Sequence, residues 1–384
     1  MKMKKILITG GAGFIGSEIV NQLFDLKKYD ITVMDEMIEQ IHGKNWEDSY
    51  LYKKIKDKCK FIKGSVCDLD KVNEAINDNE YIIHLAAETG TGQSMYEINR
   101  YNEVNIMGTS NIIQAISLLG ENSLVKKIVL SSSRSVYGEG KYNCINCGDI
   151  YPDSRDKGRM MNGDFDLYCP CCGNKLELMA TSEDSEIKPS SLYAFTKYSQ
   201  EKMLQTMCPA LGIDYTIFRF QNVYGVGQSL KNPYTGILSV FSTLMLENAS
   251  INIFENGLES RDFINVRDIA TGVISCLDNA DSNGEIINLG SGINTSVINI
   301  AEMLKKHYKS SSNINITGDF RIGDIAHNKA DISKAIKILG FKPSIELEDG
   351  LKEFCEWVVG QTLDNSKYIN SLNEMENAGM FIRK

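Results

Sequence analysis

The chain has 384 residues, 42% of them hydrophobic, and a formal net charge of −9 at pH 7, so it can bury one large core or two adjoining ones and is neither disordered nor collagen-like in composition. The negative charge is spread along the sequence and leaves no basic face for counterion-releasing contact with a phosphate backbone, which argues against a nucleic-acid partner. The opening Met1-Lys2-Met3-Lys4-Lys5 runs straight into Ile6-Leu7-Ile8-Thr9, far too short for a signal-peptide core or a membrane span; a cytoplasmic protein with no membrane partner is expected.

Short apolar runs at 6–9, 31–35, 61–63, 81–86, 127–132 and 215–220 read as strands and alternate with helical patterns. This rhythm predicts an α/β fold, a doubly wound parallel sheet covered on both faces. Ile15, Ile19 and Leu23 recur at four-residue spacing, and 105–119 and 192–207 are likewise helical. Between 138 and 189 the pattern breaks into a polar, cysteine-bearing stretch that fits neither period and reads as an insertion. From 222 onward the rhythm loosens, with loops at 225–236, 255–262 and 291–295, helical stretches at 298–308 and 347–359, and a polar helical tail at 365–384. That half is expected to be a smaller α/β lobe.

Thr9-Gly10-Gly11-Ala12-Gly13-Phe14-Ile15-Gly16 follows the first strand and opens the first helix, the context that lifts a glycine pattern above coincidence. Here the backbone can turn sharply and approach a pyrophosphate, whose charge is met by free N–H groups and the positive helix end. Gly10, Gly13, Phe14, Ile15 and Gly16 are therefore cofactor-binding candidates, the loop reading as G-x-G-x-x-G from Gly11 or as G-x-x-G-x-x-G from Gly10. Asp35 ends the second strand nineteen residues after Gly16, where a carboxylate accepts both ribose hydroxyls of NAD and repels the 2′-phosphate of NADP. Asp68, with Leu69 beside it, is placed to reach the adenine end. The expected division is a Rossmann NAD-binding domain over 1–221, carrying an insertion at 140–180, and a mainly substrate-binding lobe over 222–384, some segments of which return to the first domain.

Tyr193 and Lys197 lie four residues apart, neighbours on one helix face. A phenol with a pKa of about 10 needs a nearby cation to act as a base near neutral pH, and Lys197 together with oxidised nicotinamide would supply it. The lysine can also hold the nicotinamide ribose. Ser131-Ser132-Ser133-Arg134-Ser135-Val136-Tyr137-Gly138 sits at the end of the predicted fifth strand, on the sheet edge where ligands bind. Ser133 is the candidate donor to the reacting oxygen.

Taken together, these motifs resemble the extended short-chain dehydrogenase family, which includes nucleotide-sugar epimerases and dehydratases, over nearly the whole chain outside the insertion. The resemblance assigns Leu85, Ala86 and Ala87 of His84-Leu85-Ala86-Ala87, and Asn105 of Val104-Asn105-Ile106-Met107-Gly108-Thr109, to the cofactor. It assigns Asn222 of Asn222-Val223-Tyr224-Gly225 to the substrate pocket, and Arg261 and Arg321 to the sugar-nucleotide diphosphate, a task that suits a planar, two-pronged guanidinium. The stretch from Glu88 to Tyr96, which contains Ser94 as a substrate-binding candidate, the cysteine insertion and the stretch from Gly227 to Gly236 resemble the dTDP-L-rhamnose 4-epimerase branch. Family dehydratases resemble Thr-Asp-Glu where this chain has Ser133-Arg134-Ser135, and without those carboxyl groups dehydration and decarboxylation are disfavoured. What remains is epimerisation of a nucleotide sugar through a keto intermediate, at C4 of a dTDP- or UDP-hexose by the same resemblance, which also implies a homodimer. A net reductase or dehydrogenase with exchangeable cofactor is the alternative.

Ten cysteines in a chain of a reducing compartment favour metal sites or buried thiols over disulfides. Cys59, Cys67, Cys208, Cys276 and Cys355 lie singly in apolar or helical contexts and are expected to be core fillers. Cys144-Ile145-Asn146-Cys147-Gly148 and Cys169-Pro170-Cys171-Cys172-Gly173 are paired C-x-x-C-G knuckles, a strong signal for a structural zinc ribbon with Cys144, Cys147, Cys169 and Cys172 as ligands. A rival reading, an NAD-sensing binding protein whose ribbon holds nucleic acid, is opposed by the insert's five basic residues against six acidic ones between Lys141 and Glu177. A lid or an interface element near the active site fits the insert better.

Overall fold

The computed structural model describes residues 3–230, 232, 236–361, 363 and 366–384. Met1, Lys2, Lys231, residues 233–235 and Asn365, which figured in the stretches above, lie outside the described residues. Strand β1 (Lys4–Thr9) is buried at each of its last four positions, with no polar alternation, as befits a strand covered on both faces. Ile6 and Ile8 enter one core and Leu7 the other, because successive side chains of a strand point to opposite faces. With β2 (Tyr29–Asp35), β3 (Lys60–Lys63), β4 (Tyr81–His84) and β5 (Lys127–Ser133), and the strands Asp214–Phe220 and Glu285–Leu289, it forms a seven-stranded parallel sheet. The spatial order is Glu285–Leu289, Asp214–Phe220, β5, β4, β1, β2, β3. The chain winds outward from β1 to β3, then steps back to the other side of β1 with β4, and at that reversal the carboxyl ends of β1 and β4 open a crevice.

Helix α1 (Phe14–Leu26) buries Ile19, Val20 and Leu23 on one face of the sheet. On the other face the helix Gly108–Leu119 brings Ile112, Ile113 and Ile116, and the helix Leu192–Leu211 brings Leu204 and Cys208. Each aliphatic chain so buried contributes roughly 1.5–3 kcal/mol. The second half has its own core around Leu238, Phe241, Ile300, Leu304, Leu351 and Phe354, roofed by the small sheet Asn222–Tyr224, Ser260–Asn265, Asn294–Ser296. Arg261 thus sits on a strand, where the sequence pattern gave a loop over 255–262. The buried Asp262 carboxylate fixes this strand by accepting the N–H groups of Ser291, Gly292 and Ala330. Among the described residues no helix is long and apolar enough to cross a membrane.

The insertion carries more secondary structure than its sequence shows. Tyr142–Cys144 and Gly148–Ile150 form a hairpin, Glu177–Leu178 pairs with its first strand, and Lys157–Met161 is a short helix. Strands of two or three residues are too short to display a period. Rather than hanging free, the insert is bound to the second half of the chain at 324–331. The Thr181 N–H donates to the Lys329 carbonyl at 2.8 Å, and the Asp331 N–H donates to the Thr181 carbonyl at 3.0 Å. Arg155, 2% exposed, reaches Glu255 with both Nη atoms and donates to the Asp324 carbonyl at 2.9 Å. The tail forms a helix, Ser366–Asn377, and a last strand, Phe381–Ile382, antiparallel to Phe320–Arg321. Of the five single cysteines, Cys208, Cys276 and Cys355 are buried, whereas Cys59 and Cys67 are half-buried at the edges of the two sheet cores.

Candidate active site

Gly10 leaves β1 with φ at 68°, and its N–H donates to the Met34 carbonyl at 2.8 Å. A Cβ there would stand 2.7 Å from the Ala86 nitrogen, and one on Gly16 would stand 2.4 Å from the Gly10 carbonyl oxygen. Either would force the loop off its neighbours. Gly13 is the extended N-cap of α1 and offers no side-chain cap, so the N–H groups of Phe14, Ile15 and Gly16 lack intrahelical acceptors and face an anion-seeking helix end. These glycines, with Phe14 and Ile15, form one wall of a cleft of about 460 Å³. Asp35, Leu85, Ala86, Ala87, Ser133, Tyr193, Lys197 and Asn222 line the same cleft.

Asp35 accepts the Ala12 N–H at 3.0 Å and the Met37 N–H at 2.9 Å. Burial raises its pKa to about 6 against the pull of those donors. His42, 3.8 Å away, is lowered to about 4 by burial; it is neutral at pH 7 and lends no positive charge. A carboxylate without a counter-cation among the described residues, followed by Glu36 on the same wall, suits ribose hydroxyls and repels a phosphate in their place.

At the other end, Lys197 donates to the Ser131 carbonyl at 2.8 Å. Burial pulls its pKa down to about 7, while the Glu201 carboxylate works the other way. Glu201 is held by a buried ion pair with Arg219 at 2.7 Å. Burial raises the Tyr193 phenol above its ordinary value, opposed by a hydrogen bond with Ser133 and by the charge of Arg134. The cation that acts on the phenol is therefore Arg134, whereas the lysine named by the sequence gives its hydrogen bond to Ser131. Arg134 was legible there only as a missing carboxylate, although it is the one cation in the run 131–138.

Several predicted residues act from behind the cleft wall. Asn105 accepts the Glu88 N–H at 2.8 Å and donates to the Glu88 carbonyl at 3.1 Å and to Thr196 at 3.0 Å, stapling the loop after β4 to the catalytic helix. Ser94 accepts the Tyr193 N–H at 3.0 Å and donates to the Thr91 carbonyl at 2.6 Å. It positions the tyrosine. Asp68 caps the helix Leu69–Ile76 by accepting the N–H groups of Asp70 and Lys71; neither it nor Leu69 lines the cleft, whose wall there is Gly64 and Val66. Arg261 donates to the carbonyls of Ser260, Ile325 and Ala326 at 2.9–3.0 Å, and Arg321 pairs with Asp324 at 2.7 Å beside a smaller adjoining pocket. The phosphate-reading pair expected from the sequence is thus not gathered in the main cleft. Sequence reasoning also missed Gln221 and Gln228, which line the cleft near Asn222. All three amide oxygens are buried without a partner among the described residues, acceptors that fit the hydroxyls and carboxamide of a dinucleotide and a sugar.

The Sγ atoms of Cys144, Cys147, Cys169 and Cys172 all lie within 4.8 Å of one another, with Cys144 and Cys172 3.4 Å apart. Tetrahedral zinc thiolates place sulfurs about 3.8 Å apart for a 2.3 Å bond, so the group is the right size for a metal. Cys171 stays outside it.

A Rossmann crevice, a glycine loop over a helix end and a Ser-Tyr-Lys set at its far end define a dinucleotide-dependent oxidoreductase site. Comparison with known proteins narrows this. Residues 7–152 match the GDP-mannose 4,6 dehydratase family model, and residues 171–290 match that of the NAD dependent epimerase/dehydratase family. A dTDP-L-rhamnose 4-epimerase of Burkholderia thailandensis is 36% identical over 94% of this chain and 96% of its own. A putative UDP-glucose 4-epimerase of Methanocaldococcus jannaschii is 31% identical over 92% and 98%. The crystal structure of a Bacillus cereus UDP-glucuronic acid 4-epimerase with UDP-glucuronic acid and NAD superimposes with a TM-score of 0.75 at 26% identity, covering 92% of this chain and 99% of that one. The chain belongs to the NAD-dependent epimerase/dehydratase family of extended short-chain dehydrogenases.

Proposed function

We propose that the protein is an NAD-dependent nucleotide-sugar epimerase acting at C4 of a dTDP- or UDP-hexose, with dTDP-L-rhamnose the first substrate to try. The observation that carries this reading is the set Ser133, Tyr193 and Lys197 lining one cleft with no free carboxylate beside it among the described residues. Of the cleft's carboxyl groups, Asp35 and Glu36 lie at the ribose end and Glu88 is paired with Arg100 at 2.8 Å. Dehydration needs an additional acid and base at the sugar, and this site offers Arg134 and Ser135 instead. The relatives named as 4-epimerases support the same choice.

Gly10, Gly13 and Gly16 with the start of α1 would hold the pyrophosphate of NAD, Asp35 its ribose hydroxyls and Lys197 the nicotinamide ribose. Bound there, NAD supplies the acceptor and then the donor of a hydride. Tyr193 takes the proton of the sugar hydroxyl as its carbon is oxidised, and Ser133 donates a hydrogen bond to the same oxygen. Lys197 and Arg134 hold positive charge near the phenolate. When the keto sugar has turned its opposite face, Tyr193 returns the proton and the inverted alcohol leaves. No net oxidation occurs.

The four cysteines bind structural zinc in this reading, a closed site apart from the redox chemistry. Residues 1–221, with the insertion at 140–180 and segments returning from the second half, make the cofactor domain; the remainder of 222–384 binds the sugar nucleotide. The molecule works in the cytoplasm as a homodimer. Incubation of the purified protein with a panel of dTDP- and UDP-hexoses without added cofactor tests the central claim. Interconversion of a C4 pair is expected; stalling after at most one turnover, relieved by free NAD or NADH, would mean a dehydrogenase.

A further inference from the structure

Four guanidinium groups, Arg134, Arg155, Arg261 and Arg321, gather around the Asp324 carboxylate, and three of them are occupied. Arg155 is held by Glu255 and the Asp324 carbonyl, Arg321 by Asp324, and Arg261 by three backbone carbonyls. Arg134 makes no hydrogen bond and no ion pair with any described residue. The carboxylates closest to it in effect are committed elsewhere, Asp324 to Arg321 and Glu139 to the Ala326 N–H at 2.8 Å and to Arg155, and Arg261 repels it. Burial lowers its pKa to about 10, which leaves it cationic at neutral pH. A half-buried fork of five donors without an acceptor is costly unless a ligand brings one.

The position of Arg134 says which ligand. It follows Ser133 directly and lines the same cleft as Tyr193, at the end away from the helix terminus that takes the cofactor's pyrophosphate. We propose that Arg134 is a substrate-binding residue that receives an oxyanion of the nucleotide sugar, either the sugar-proximal phosphate or a carboxylate carried by the pyranose, and so sets the angle at which the sugar meets Tyr193. The inference rests on the nucleotide-sugar reading and deepens it. In Arg261 and Arg321 the planar fork is spent on holding loops, whereas in Arg134 it remains available for two parallel bonds to one oxyanion.

The test uses the full-length holoenzyme with Arg134→Ala and Arg134→Lys, each checked for NAD content and thermal midpoint. Calorimetry gives the Kd of UDP and dTDP alone, and turnover gives KM and kcat for dTDP-L-rhamnose, UDP-glucose and UDP-glucuronate. A phosphate partner predicts that Arg134→Ala weakens the bare nucleotides and their sugars alike by about 10- to 100-fold, the loss of a charge-assisted pair, with partial recovery in Arg134→Lys. A sugar carboxylate predicts a loss of the same size confined to UDP-glucuronate. Kd and KM values within about twofold of wild type for every ligand, with wild-type turnover present, overturn the proposal. A wild-type protein that turns over none of these sugars instead removes the epimerase reading, and the nucleotide titrations still decide the role of Arg134.

Discussion

Replacing Arg155 with alanine tests whether the insert is a fixed part of the substrate side. Arg155, Glu139 and Glu255 have side chains only 2–3% exposed, and the substitution leaves two carboxyl groups buried without their cation. Breaking a buried pair from one side costs about 3–5 kcal/mol. The damage should be local as well as global, because the same guanidinium holds the Asp324 carbonyl and Glu139 holds the Ala326 N–H, so the loop that anchors Arg261 and Arg321 loses its tie. Burial already raises Glu139 to about 7, with Arg155 opposing. A carboxyl group raised in the folded state favours folding most below its unfolded pKa, and that contribution is lost as pH rises through the folded value. Removing Arg155 moves Glu139 further up, so the variant should lose more stability at pH 8 than at pH 6. Urea unfolding at both pH values, with KM for the sugar nucleotide and NAD content alongside, gives the answer. A loss below about 1 kcal/mol at pH 8, the scale of an exposed ion pair, together with an unchanged KM, would refute the reasoning.

Tyr193→Phe should lower kcat by about 10²- to 10⁴-fold, the usual worth of a positioned acid–base group, while NAD released on denaturation stays at the wild-type amount. Elemental analysis should find about one zinc per chain, and Cys147→Ser or Cys169→Ser should abolish it and raise KM for the sugar nucleotide more than it lowers kcat. Burial raises Asp35 to about 6, and the ribose contacts proposed for it require the ionised form; NAD affinity measured by equilibrium dialysis should fall as pH drops from 7 to 5, and Asp35→Asn should flatten that profile.

The sheet was legible because most of its strands carry short apolar runs bounded by polar residues; the expected run at 31–35 lies within the observed Tyr29–Asp35. The strand Glu285–Leu289 escaped notice, since five residues with Asn288 at a fully buried position do not stand out. What hides Asn288 is tertiary: its amide donates to the Thr181 and Asp331 carbonyls and its oxygen accepts from Tyr137. At the site, Gly10, Asp35, Tyr193 and Lys197 were readable because their spacing follows from one local turn or one helix. Arg134 was not, because its meaning lies in what Arg155, Arg261 and Arg321 do with carbonyls and carboxylates far away in the chain. Ser94 and Asn105, expected at the substrate and the cofactor, lie behind the cleft wall, and their observed partners there follow only from which groups the fold brings to them. Asp68 shows the converse, a carboxylate in a suggestive position whose observed work is to cap a helix.

The fully enclosed Lys127 at the start of β5 has a further consequence. Its ammonium finds the Cys276 carbonyl at 2.7 Å, Ser282 at 2.8 Å and Asn283 at 2.7 Å, all more than fifty residues beyond the point where the cofactor domain would be cut at 221. A chain stopped there takes those acceptors away from the ammonium and exposes the whole edge of Asp214–Phe220, an invitation to strand-to-strand aggregation. The seven-stranded sheet is therefore complete only in a chain that reaches residue 289.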